Sequence, residues 1–200
     1  MTEKKIMFKK RLGEKLGAGG EKEVFVNQEN PEHAIGIFSE YSRKETPQQI
    51  KGRFYLTKIL HLLFPKQIPD MHLASTDPHM IEVDRISVDR CVPGDTFTSK
   101  EPCELRDKIK DVSGVFIDYF SRNFVYDKEG NLIYLDSVDP FQGDKRYYDP
   151  EKIKVALEKL EDDKKERGLV FLKRLEELYK EELASVQNKE NDKEKIVENK

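Results

Sequence analysis

The chain has 200 residues, enough for one ordinary domain or a tight two-lobed one with a real core. Charged residues make up 38% and apolar residues 36%, so the core is modest, and 36 basic against 39 acidic residues leave a net charge of −3. That balance argues against non-specific nucleic-acid binding, which needs a basic excess; no run of eighteen apolar residues offers a membrane span, and MTEKKIMFKK lacks the apolar core of a signal peptide. Cys91 and Cys103 form neither a CxxC nor a Cys/His cluster, so a reducing cytoplasm is the expected setting. There is no internal repeat.

Residues Ile6 to Phe38 read as three strands separated by turns. Gly17-Ala18-Gly19-Gly20 joins the first two, and such a turn lets backbone amides approach a phosphate closely. Val24-Phe25-Val26 and His33 to Phe38 are the second and third strands. From Pro47 to Phe64 the period changes: Ile50, Phe54, Leu56, Ile59, Leu60, Leu63 and Phe64 make one apolar helical face. Thr46 suits the cap, Pro47 the first turn, and Pro65 the end. His61 reads as a half-buried packing residue. Short strands are expected near Met71–Ala74 and His79–Ile86, then a turn at Pro93–Asp95.

Ser99 and Pro102 announce a second helix carrying Leu105, Ile109 and Val112. A helix running through Phe120 would leave Asp118 on a solvated face. Stopping at Gly114 instead would make Val115–Arg122 a loop reaching the next element, and this is the reading adopted. That element is a hairpin, Asn123–Asp127 and Leu132–Asp136, around a KEGN turn with Gly130 where a positive φ is wanted. It brings the Asn123 amide and the Asp136 carboxylate together, oxygen ligands of the kind a phosphate-bound magnesium ion requires. Asp118 stands five residues before Asn123, giving D-x-x-x-x-N. Beyond Phe141, Pro150–Glu166 and Leu169–Ala184 read as two helices broken at Gly168. Residues from Ser185 onward, polar and without periodicity, read as a disordered tail.

In order, these parts resemble a protein kinase or a kinase-like small-molecule phosphotransferase over roughly residues 10–141. LGAGGEKEVF resembles the Gly-rich loop over ATP, with Gly17 and Gly19 in its first two glycine places and Gly20 beside them. HAIGIF resembles the third strand, and the Pro47–Phe64 helix the regulatory helix. Arg90–Asp95 would lie near the adenine-reading hinge. Phe116-Ile117-Asp118 stands in the His-Arg-Asp place, Asn123 at the matching Asn, and Asp136-Ser137-Val138 in the Asp-Phe-Gly place. The departures are plain. Gly36 replaces the phosphate-binding lysine, no glutamate lies near Leu56 (Glu45 precedes the helix), and His and Arg are missing before Asp118. No activation segment or large helical lobe follows, since only about sixty residues remain after Asp136. Lys22, in the third glycine place, resembles the lysine that with-no-lysine kinases supply from that position.

The resemblance implies an α+β, reduced two-lobe kinase-like fold. Its N-terminal part, residues 1–90, would be an antiparallel sheet with one helix. Residues 91–184 would form a small helical C-terminal part, and 185–200 the tail. It implies ATP and Mg2+ as cofactors: Asp118 and Lys22 catalytic, Gly17, Gly19, Gly20 and Lys22 on the nucleotide, Asn123 and Asp136 on the metal. Phosphoryl transfer to a hydroxyl of a protein or small molecule is one implied function. A pseudokinase that binds nucleotide or a protein partner through its C-terminal helices is the other.

Overall fold

A computed structural model of the chain describes residues 10–19, 22–39, 46–76, 79–92, 100–118 and 120–198, with side chains up to Asn188. Gly20, Glu45, Ser99 and the expected Pro93–Asp95 turn lie outside the described residues.

The fold is α+β. Strands β1 (Leu12–Ala18), β2 (Lys22–Asn27), β3 (His33–Phe38), β4 (Met71–Thr76) and β5 (His79–Asp84) form a five-stranded sheet in the order β1-β2-β3-β5-β4. Every neighbouring pair is antiparallel. Between β3 and β4 runs helix α1 (Pro47–Leu63). Its start is written locally: Thr46 Oγ1 accepts from Gln49 N at 3.1 Å while Gln49 Oε1 accepts from Thr46 N at 2.7 Å. This reciprocal box satisfies two donors that the helix cannot. Phe64 N still donates to Leu60 O, and Pro65 then stops the run. Ile50 packs with Phe38, Met71 and Ile81 under the sheet.

The remaining elements assemble on the other side of α1. Strand β6 (Val88–Cys91) pairs with β7 (Phe124–Asp127), which pairs with β8 (Leu132–Tyr134); α2 (Lys100–Ser113) lies between β6 and β7 in sequence. A two-stranded hairpin follows, β9 (Phe141–Gln142) with β10 (Lys145–Arg146), then α3 (Pro150–Leu157) and α4 (Asp162–Glu198). Leu56, Ile59 and Leu60 of α1 join Ile109, Phe124, Phe141, Ile153, Leu157 and Leu175 in one large core. Helix α1 therefore contributes to both hydrophobic clusters. Among the described residues, no helix is long and apolar enough to cross a membrane.

Two sequence expectations are corrected here. The break between the last helices falls at residues 158–161, and Gly168 sits inside α4. A Cβ at Gly168 would lie 2.4 Å from Leu157 Cδ2, so this glycine is spent on close packing of α4 against α3 rather than on a turn. The expected tail from Ser185 instead continues α4 as far as Glu198. Its Lys- and Glu-rich composition lacks an apolar stripe, yet both residues are good helix formers.

Candidate functional site: a two-part cavity below the glycine turn

Helix α2 stops where Gly114 takes φ +71°, a left-handed conformation that suits glycine, with its N–H donating to Lys110 O at 2.8 Å. Residues 115–118 therefore leave the helix as a loop, buried through Val115 and Ile117. Asp118, between them and the hairpin, points its Oδ1 at Phe120 N, 3.2 Å away. Asn123 closes a short 3-10 turn, Ser121–Asn123. From there the β7–β8 ladder decides what meets what. Phe124 is paired with Tyr134, and Leu135 N donates to Asn123 O at 2.8 Å, which brings Asn123 alongside the Leu135–Asp136 step.

The opposite wall is the β1–β2 turn. Gly19 N donates to Lys22 O at 2.9 Å. Lys22 opens β2, paired with Phe38 across the ladder, and its stem runs over Gly36: a Cβ placed there would lie 3.4 Å from Lys22 Cδ. Lys22 therefore runs alongside position 36, within ordinary contact of a Cβ there. Its Nζ ends 2.5 Å from Asp136 Oδ1. Burial works to raise the pKa of that carboxyl, but Lys22, the Ser137 amide and Arg53 outweigh it and hold it below the ordinary carboxylate value. Beside it, burial and the Asp136 charge push the Tyr134 hydroxyl far above its usual pKa, so it stays neutral.

A cavity of about 500 Å3 is lined by Gly17 and Gly19 above, Lys22 at the side, and Asp118, Asn123 and Asp136 below. It shares Gly17, Lys22, Val24 and Leu135 with a second cavity of about 730 Å3. The second has apolar walls at Leu16, Val24, Ala34, Ile81 and Leu135, and is also lined by Glu32, Asp84 and residues Arg85–Val88. Those residues come before the expected hinge at Arg90–Asp95 in sequence. Arg90 is instead in β6, its guanidinium 4.4 Å from the Tyr126 ring centroid.

All the described sequence candidates (Gly17, Gly19, Lys22, Asp118, Asn123 and Asp136) therefore line one space. An amide oxygen and a carboxylate on adjoining strand ends suit a hard cation shared with phosphates. Sequence reasoning missed Arg53. Its buried guanidinium reaches Ser137 and Asp139 from α1. The signal was present: Arg53 lies three residues from both Ile50 and Leu56 on the apolar stripe of the helix.

A second group, His33, His72 and Asp84, has ligand atoms within 4.8 Å of one another. Its imidazoles are stacked at 3.8 Å with planes 6° apart, so their lone pairs lie in parallel planes and do not converge on one ion. His33 Nδ1 is already 2.8 Å from Glu82 and His72 Nε2 is 2.6 Å from Asp84. This is an imidazole–carboxylate network tying β3, β4 and β5.

No protein-family model matches the chain, and no curated protein matches it. Among solved structures it is similar to a chain in the CAK complex of Chaetomium thermophilum bound to ATP-gamma-S, at 13% identity and TM-score 0.41 over 85% of this chain and 70% of that one. It is also similar to the Rio2 kinase–ADP/Mg2+–phosphoaspartate complex of the same organism, at 11% identity and TM-score 0.37 over 94% and 75%. At this distance residue roles do not transfer.

Proposed function

We propose that this chain is a reduced kinase-like protein that binds Mg-ATP and passes the γ-phosphoryl group to a hydroxyl of a protein or small molecule. The observation that carries the reading is Lys22. It runs alongside Gly36 and meets Asp136 in a cavity that also holds Asp118 and Asn123. The apolar walls of the larger cavity suit a nucleobase, and the Gly17 and Gly19 backbone lines the part that would take the phosphates. Lys22 would supply the cation that β3 lacks, exchanging part of its contact with Asp136 for phosphate oxygens. Magnesium, held by Asn123 and Asp136, would neutralise charge on the transferred group. Asp118 would accept the proton of the attacking hydroxyl as its oxygen bonds to the γ-phosphorus, while the bond to the β-phosphate oxygen would break and ADP would leave.

A second reading, nucleotide binding without transfer, draws support from the helix. Where a regulatory helix would offer a carboxylate, α1 offers Arg53. Thermal shift and turnover separate the two. ATP with magnesium should raise the unfolding midpoint, because ligand binds the native state alone. Lys22→Met should weaken ATP about tenfold or more, the worth of a charge-assisted hydrogen bond. Asp118→Asn should keep binding yet lower transfer by at least about a hundredfold. Binding without any transfer by the native protein would favour the second reading, and no midpoint shift at millimolar ATP would remove both.

A further inference from the structure

Helix α1 presents a cation to the chain that follows Asp136, and two side chains of that chain hold it. Arg53 is 2% exposed. Its guanidinium donates to Ser137 Oγ at 2.7 Å and to Asp139 Oδ1, and lies 5.2 Å from the Phe38 ring centroid. The same face of α1 closes on the next residues. A Cβ at Gly52 would fall 2.7 Å from Pro140 Cγ, and Gln49 Nε2 donates to Phe141 O at 3.4 Å. Residues 137–141 are thus laid along α1, beginning at the residue after Asp136.

The chemistry makes this hold obligatory. A guanidinium taken out of water is costly unless its donors are met, so Ser137 and Asp139 must stay within its reach. The Asp139 side chain is 56% exposed and has little packing of its own to locate it. A planar fork satisfies two separated acceptors at once, which a lysine ammonium in the same place does less well. Helix α1 is itself pinned: Thr46 Oγ1 donates to Glu182 Oε2 of α4 at 2.8 Å, and the Tyr55 and Phe171 rings lie 6.1 Å apart.

We propose that Arg53 is the positioning residue for Asp136: by gripping Ser137 and Asp139 it fixes where the Asp136 carboxylate points, and so sets the magnesium-dependent part of nucleotide binding. This rests on the Mg-ATP reading, and the experiment keeps the two apart.

Hydrogen–deuterium exchange of residues 135–141 is followed in the full chain without ligand, and the Kd for ATP is measured with magnesium and with EDTA. In Arg53→Met, exchange of 135–141 should rise about tenfold while α3 and α4 hold their protection. ATP should bind about tenfold more weakly with magnesium and unchanged in EDTA, and Arg53→Lys should recover part of the loss. Unchanged exchange, or an equal loss of affinity in both buffers, overturns the proposal. If Arg53→Met fails to fold, Asp139→Asn decides through the same readouts. If the native protein binds no ATP at all, the functional reading falls, and exchange alone decides whether Arg53 orders Asp136.

Discussion

Glu82 shows how much one buried carboxylate can organise. Its oxygens meet Arg11 at 2.6 Å, Asn27 at 2.8 Å and His33 at 2.8 Å, joining β2, β3 and β5 with the residue that precedes β1. Burial acts to raise its pKa, but the bonds from His33, Arg11 and Asn27 prevail and hold it below the ordinary value of 4.5. A carboxyl depressed on folding gives stability that is complete above its unfolded pKa and lost as pH falls through its folded one. Glu82→Gln should therefore cost about 3 kcal/mol near pH 7, as expected for breaking a buried charge network. The gap between native and variant should narrow below pH 4.5, the ordinary value of this carboxyl. Urea midpoints at pH 7 and pH 3 measure both; a gap that is constant with pH would refute the assignment. At this scale Lys22 drew notice through resemblance alone, from its third glycine place and the Gly36 that stands where a lysine is expected, while its contact with Asp136 comes from the fold. Glu82 was not legible: its partners come from separate strands, and only the folded register brings them together.

Elements were legible where their ends are chemically marked. Thr46-Pro47 opens α1 and Gly114 closes α2, and both ends fall where residue type alone placed them. The hairpin turn is likewise built on Gly130 at φ +82°. Gly168 misled because glycine has two uses. Propensity marks it as a breaker, whereas here it admits the Leu157 side chain between α3 and α4. The two uses predict opposite outcomes for alanine. As a breaker, Gly168→Ala would extend and stabilise the helix. As a packing residue, with Leu157 carbons 2.4 and 3.0 Å from the added Cβ, it should destabilise. We expect a loss of about 1–3 kcal/mol in chemical denaturation, the range for overpacking a filled core.

Taken whole, the molecule covers α1 with its own last helix. Leu172, Leu175 and Leu178 of α4 enter the large core beside Leu56 and Ile59 of α1. Around them, Tyr148 Oη donates to Glu176 at 3.1 Å and Tyr179 Oη to Asp144 O at 2.6 Å. Leu175, 0% exposed, should cost about 2–5 kcal/mol on truncation to alanine. That loss should appear as a single cooperative shift, with the β-sheet and helical signals falling together in urea. Separate transitions would mean that the two hydrophobic clusters melt independently. Such closure was beyond the reach of sequence patterning, because the leucines of α4 do not by themselves say that α1 receives them.

The Thr46–Glu182 bond has a consequence for how the protein is made. The N-terminal cap of α1 leans on a residue 136 positions further along the chain. During synthesis the sheet and α1 emerge first and must wait, partly uncovered, until α4 has left the ribosome. A stalled intermediate lacking α4 should therefore present α1 as a sticky surface to chaperones.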